Sequence, residues 1–166
     1  AEISAVTRTS NAAAPTIAHH RSSYVISHEP MAAMCQDVHA SIPSALTVFF
    51  AYDCQTTELV ATHTEGDIID QLIGFRIALG QRISGWVAAN RESILNSDAT
   101  LDLSELIVDS PHRLRSCLSV PVIAGDQLLG VITCYGSEPD VFTKSHQRLV
   151  ADATSRRASV TPLVTH

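Results

Sequence analysis

At 166 residues the chain is long enough for one domain with extensions and a buried core. Its composition, 45% hydrophobic and 17% charged, is ordinary for a compact globular domain. A net charge of -6 without any Lys/Arg cluster argues against nucleic acid as a partner, and no apolar run approaches the ~18 residues of a membrane span.

Residues 1–27 are rich in Ala, Ser and Thr, show poor periodicity and read as a linker or tail. They lack the charged start and apolar core of a signal peptide, and the absence of an initiator Met fits a fragment of a longer polypeptide. Met31, Met34, Val38 and Ile42 then recur at helical spacing until Pro43. Residues 45–52 and 58–63 are β-rich and flank the turn-forming stretch Asp53-Cys54-Gln55-Thr56-Thr57, which predicts a hairpin. Residues 67–79 read as a mild helix with Ile68, Leu72, Phe75 and Leu79 on one side.

A short helix is expected from Ser84 or Gly85 to Ala89, and a short strand over Ile94-Leu95-Asn96. Asp98 is placed to cap the turn after that strand. Residues 99–116 read as loop with one or two helical turns. A last helix starts after Phe142 with Thr143 as N-cap, and Leu149, Val150, Ala153 and Val160 form its apolar stripe. His146 stands where a capping box places Glu or Gln, so none is expected there.

Strands over 117–123 and 127–135 meet at Gly125-Asp126. A two-residue turn there pairs Ala124 with Gln127, Val120 with Val131, and Cys117 with Cys134. Alternation then places Leu118, Val120, Val122, Leu129 and Val131 on one apolar face that wants helices. Cys117, Ser119, Pro121, Gly130, Ile132 and Cys134 share the other, where small groups leave room for a cavity. In this register Cys117 and Cys134 would lie ~4.5 to 5.5 Å apart at Cα, within disulfide range.

The segments LGQRISGWVAANRESILNSDA and SCLSVPVIAGDQLLGVITCYG carry a family pattern: glycines at Gly80 and Gly85 around Ile83, then Trp86-Val87-Ala88-Ala89, the short Ile94-Leu95 run and the glycine-turned hairpin. Over about residues 31 to 160 the chain resembles a GAF domain, the small sensory module of signalling proteins. The resemblance implies an α/β (α+β) fold over 28–162, with 163–166 as a tail. A central antiparallel sheet of five or six strands would carry terminal helices on one face, and short helices and loops over a pocket on the other.

It also implies a cytoplasmic small-molecule sensor, homodimeric through its terminal helices. That sensor would be covalently linked to an output domain outside this fragment, in a two-component or cyclic-nucleotide signalling protein. The alternatives are a ligand-free dimerisation or spacer module, and a thiol-redox, haem or metal sensor.

Strand parity and the resemblance together nominate nine pocket residues: Trp86, Asn96, Asp98, Arg113, Arg115, Cys117, Ser119, Ile132 and Cys134. Arg113 and Arg115 border the pocket and suit bidentate recognition of a carboxylate or phosphate. Trp86 offers a ring wall and an N–H donor. The loop before residue 117, SPHRLRS, lacks the cysteine of a covalent bilin site, and the Asn-Lys…Phe…Asp-Glu signature of cyclic-nucleotide pockets is absent. The eight histidines form no HExxH and no His/Cys cluster, so haem or metal is not expected. There is no GxSxG, no P-loop and no dinucleotide-binding glycine motif, so no enzymatic activity is expected.

Overall fold

A computed structural model describes residues 24–26, 28–108, 110–111, 113–158 and 160–162. In chain order the elements are β1 (Tyr24–Ile26), α1 (His28–Ser41), β2 (Leu46–Asp53), β3 (Glu58–Gly66), β4 (Arg76–Ala78), α2 (Arg82–Asn90), β5 (Ile94–Ser97), α3 (Thr100–Ile107), β6 (Ser116–Ala124), β7 (Gln127–Gly136), α4 (Lys144–Arg157) and β8 (Val160–Pro162). Six strands form one antiparallel sheet in the order β4-β3-β2-β7-β6-β5, and β1 pairs separately with β8. The expected α+β sheet-and-helix fold is therefore present.

The central strands are buried on both faces, which is why they read as continuous apolar runs. On one face Met31, Met34 and Val38 of α1, with Val150 and Ala153 of α4, cover Phe49, Leu118, Val120 and Ile132. On the other, Ile83, Val87 and Ala88 of α2, with Leu103 of α3, cover Val48, Phe50, Val131 and Tyr135. The side chain of Arg157 closes on Asp37, tying the end of α4 to α1.

Three sequence expectations fail, each for a local reason. Residues 67–79 are not a helix: Ile68 is 82% exposed, and the segment is an irregular loop that ends in the edge strand β4. Gln71 and Gly74 have φ of +66 and +90, outside the helical region. Its local backbone bonds are only turn-like, Leu72 N to Ile69 O and Phe75 N to Leu72 O, while Gly74 N bonds to Ala61 O and Ala61 N to Phe75 O across to β3.

The second concerns the β6–β7 register. Val122 pairs with Gly130 and Ile123 with Leu128, so Leu129 is an extra residue in a bulge. Beyond it Val120 pairs with Ile132, and Cys117 with Tyr135 instead of Cys134. A one-residue slip reverses the faces. Val131 therefore points toward α2 and α3, while Ile132 and Cys134 point toward α1 and α4.

The third concerns α4, where Thr143 is the N-cap as expected and the capping box is present after all. His146 Nδ1 accepts from Thr143 N (3.0 Å) and His146 N donates to Thr143 Oγ1 (3.2 Å), so an imidazole nitrogen takes the carboxylate's part. Leu149 is 48% exposed and Val160 belongs to β8, so the buried stripe is Val150, Ala153 and Thr154. Helix α2 also starts earlier than expected, at Arg82.

The bulge places Gly130 flat against β2, where an added Cβ would collide with the Phe50 carbonyl oxygen and sit 2.9 Å from Phe49 Cζ. Backbone cannot give way cheaply. Gly130→Ala is expected to lower unfolding stability by roughly 1–3 kcal/mol or more in urea denaturation, against near-neutrality for Gly125→Asn at the open turn.

Candidate functional site

The face covered by α2, β5 and α3 contains a buried polar knot centred on Asp102. This residue lies between Leu101 and Leu103 on α3, whose two turns meet at a kink at Leu103 (φ -122, ψ 21). Leu103 and Asp102 are both fully buried. Asp102 Oδ1 accepts from the backbone N–H groups of Ile83 (3.0 Å) and Ser84 (2.9 Å). Oδ2 accepts from Ser84 Oγ (2.5 Å) and the Tyr135 hydroxyl (2.8 Å).

Those two amides belong to the first turn of α2, whose own N-cap, Gln81, makes no side-chain cap bond. Asp102 therefore caps α2 from another helix, and its negative charge sits at the positive end of the helix dipole. The proton positions follow from the carboxylate, which only accepts. Ser84 commits its one hydroxyl hydrogen to Asp102, so Thr133 donates to Ser84 Oγ (2.8 Å), and Ser119 in turn donates to Thr133 Oγ1 (2.8 Å). Ser84, Ser119, Thr133 and Tyr135 are all fully buried. Burial, then the charge of Asp102, holds the Tyr135 phenol well above its ordinary range.

Outside the knot, Arg82 Nη1 donates to the Asp102 backbone oxygen (2.8 Å), and the guanidinium grips Glu105 at 2.7 and 2.6 Å. Its hydrogen bonds hold the Glu105 carboxyl down at about 2. The same guanidinium lies 5.4 Å over the Phe75 ring. Helices α2 and α3 are thus joined twice, by a buried carboxylate and by an exposed ion pair.

Of the nine nominated residues, only Ser119 and Cys117 lie in this layer's buried interior. Trp86 is 38% exposed on the outer side of α2. Asn96 spends its side-chain amide on the Phe142 backbone, at 2.6 and 3.0 Å. Exposed Asp98 accepts from the backbone N–H (2.9 Å) and hydroxyl (2.8 Å) of Thr100, the capping contact expected of it. Arg113 and Arg115 are exposed, and Arg115 bonds through its backbone to Gly136. Ile132 and Cys134 face α1 and α4, on the far side of the sheet from Cys117.

The expected Cys117–Cys134 pair is thereby excluded by the bulge. Burial pushes the Cys35 and Cys134 thiols up to about 12 and raises Cys117 further. Among the described residues no group of three His, Cys, Asp or Glu is placed to hold a metal ion, and no helix is long and apolar enough to cross a membrane.

Sequence reasoning missed Asp102, Ser84, Thr133, Tyr135, Arg82 and Glu105. One signal was available: a tyrosine in an apolar strand needs a partner for its hydroxyl. An aspartate flanked by leucines in a helical stretch is a natural acceptor for it.

The family model described as the GAF domain matches residues 28–155. The fold is similar to that of the GAF domain of an Acinetobacter phosphoenolpyruvate-protein phosphotransferase (16% identity, 76% of each chain covered, TM-score 0.63). It is similar too to a type II free methionine-R-sulfoxide reductase from Thermoplasma acidophilum (18%, 78% of this chain and 87% of that one, TM-score 0.62). A third similar structure is the GAF-B domain of DevS from Mycobacterium smegmatis (17%, 78% and 88%, TM-score 0.62). No curated protein matches the chain.

With Cys35, Cys117 and Cys134 buried and Cys54 exposed, Ellman's reagent is expected to titrate one thiol rapidly in the folded protein and four after denaturation. A mild oxidant should leave Cys117 and Cys134 reduced, as peptide mapping would show. A Cys117–Cys134 disulfide in the folded protein would contradict the bulged register.

Proposed function

Because this chain belongs to the GAF-domain family, whose members serve as sensory modules in signalling proteins, we propose that it is a ligand-responsive regulatory module acting in the cytoplasm. One observation carries the reading: on the face opposite α1 and α4, the buried Asp102 carboxylate joins α3 to the start of α2 and to Tyr135 of β7. A layer pinned over its apolar core by a few hydrogen bonds can re-pair them as it shifts. A small ligand that contacts this layer better in one arrangement shifts the equilibrium by the difference in its two affinities. Helices α1 and α4 then pass the change to an output domain beyond this chain, with the exposed Leu149 of α4 available for homodimer contact.

A second reading rests on the same knot. Every buried hydroxyl in it has a partner, so the layer closes without any ligand, as a dimerisation or spacer module would require. Sulfoxide reduction, the activity named for several similar structures, would call on thiol chemistry, and three of the four cysteines here are buried with raised thiol pKa.

Native mass spectrometry and an absorption spectrum of freshly purified protein test the choice. Thermal-shift measurements follow, with cyclic AMP, cyclic GMP and free methionine-R-sulfoxide as probes. The sensory reading expects a small-molecule adduct or a melting shift; a ligand at a hundred times its Kd stabilises by about 2.7 kcal/mol. A bare dimer whose melting temperature ignores every probe supports the spacer reading instead.

A further inference from the structure

We propose that Asn96 is the coupling residue that ties the α2–α3 layer to the start of α4 around the β5 edge of the sheet. This deepens the regulatory reading above and rests on it for its purpose, though not for its geometry.

Strand β5 is the outermost strand beside β6, so a connection along it passes around the sheet instead of through the core. Its ladder runs Ile94 to Ser119, Leu95 to Leu118 and Ser97 to Cys117. Asn96 is therefore the extra residue of a bulge, at φ +60, a conformation that Asn tolerates better than other side chains. The bulge frees it from the ladder and aims its amide at another segment. Nδ2 donates to Phe142 O (2.6 Å), and Phe142 N donates to Oδ1 (3.0 Å). A side-chain amide thus pairs with one backbone unit as a neighbouring strand would, and the two contacts together fix its orientation.

Each end of this clamp leads directly to a functional element. Phe142 is buried in the α1/α4 cluster, and Thr143 after it is the N-cap whose oxygens hold the His146 and Gln147 amides. On the other side, Asp98 caps the first turn of α3 two residues after Asn96, and Asp102 lies four residues further on. A change in how Asp102 holds α2 therefore reaches the α4 cap through six residues of chain and two hydrogen bonds. The short span suits a positioning role: Asn96 sets where α4 begins according to where α3 sits.

Hydrogen exchange read at single amides tests this in four proteins: wild type, Asp102→Asn, Asn96→Gly and the double variant. Glycine keeps φ +60 accessible while deleting the clamp. Asp102→Asn is expected to raise exchange in α2 and α3. It should also raise it on the order of tenfold at His146 and Gln147, with Ala158 at the far end of α4 unchanged as the control against global unfolding.

In the Asn96→Gly background, Asp102→Asn should still loosen α2 and α3 yet add nothing at His146 and Gln147. An equal response at those two amides with and without Asn96, or none in the wild-type background, overturns the proposal. Should Asn96→Gly not fold, Asn96→Asp retains the acceptor for Phe142 N–H and loses only the donor, and the added response at His146 and Gln147 should then shrink. An undiminished response overturns the proposal there too. The comparison uses no ligand, so a chain that binds none leaves this result standing and sinks only the sensory reading.

Discussion

A carboxylate removed from water must be met by donors, and around Asp102 that requirement organises half of the molecule. Its two oxygens take four hydrogen bonds, from two backbone amides of α2, the Ser84 hydroxyl and the Tyr135 hydroxyl. Taking a carboxylate out of water costs several kcal/mol, which its hydrogen bonds largely offset without leaving much surplus. The knot is therefore worth more for where it holds things than for how much it stabilises. It fixes the start of α2, the kinked turn of α3 and the far end of β7 at one point. The exposed pairs Arg82–Glu105 and Arg76–Glu58 meet in solvent, where ion pairs contribute little.

The opposite face works by different physics. Methionines, valines and leucines of α1, α4 and the sheet interlock there, as the apolar side chains under α2 and α3 also do, but without a comparable buried charge among the described residues. Near its rim, Arg157 and Asp37 hold α1 to α4, while β1 and β8 lie side by side as a two-stranded ribbon. The regulatory reading rests on this contrast between a face with a buried charge at its centre and a face without one.

Much of this architecture is legible in the residues. The methionine spacing of α1, the β2–β3 hairpin and the Thr143 cap each follow from local rules that tertiary contacts do not overrule. The bulge at Leu129 is different, because it answers to the approach of Gly130 to the Phe50 carbonyl, a contact between strands far apart in sequence. One inserted residue was enough to move Ile132 and Cys134 to the wrong face of the expected pocket. Residues 67–79 mimic a helix because Ile68, Leu72, Phe75 and Leu79 happen to fall at helical spacing, while the backbone makes isolated turns and bonds across to Ala45, Thr57 and Ala61. Asp102 as a cap for α2 stayed hidden because capping from another helix leaves no short-range signature; only the Tyr135 hydroxyl, needing a partner in an apolar strand, hinted at a buried acceptor. Asn96 was nominated for the pocket on its position alone, and its partner Phe142 could be known only from the fold.

The most direct measurement is a double-mutant cycle on unfolding free energy with Asp102→Asn and Tyr135→Phe. If the Asp102 carboxylate is the shared acceptor that holds the layer to β7, the two losses should be coupled by about 1–3 kcal/mol, the double variant costing less than the sum. Losses that add to within about 0.3–0.5 kcal/mol would mean that Tyr135 and Asp102 act independently, and the knot would not be the fastening described.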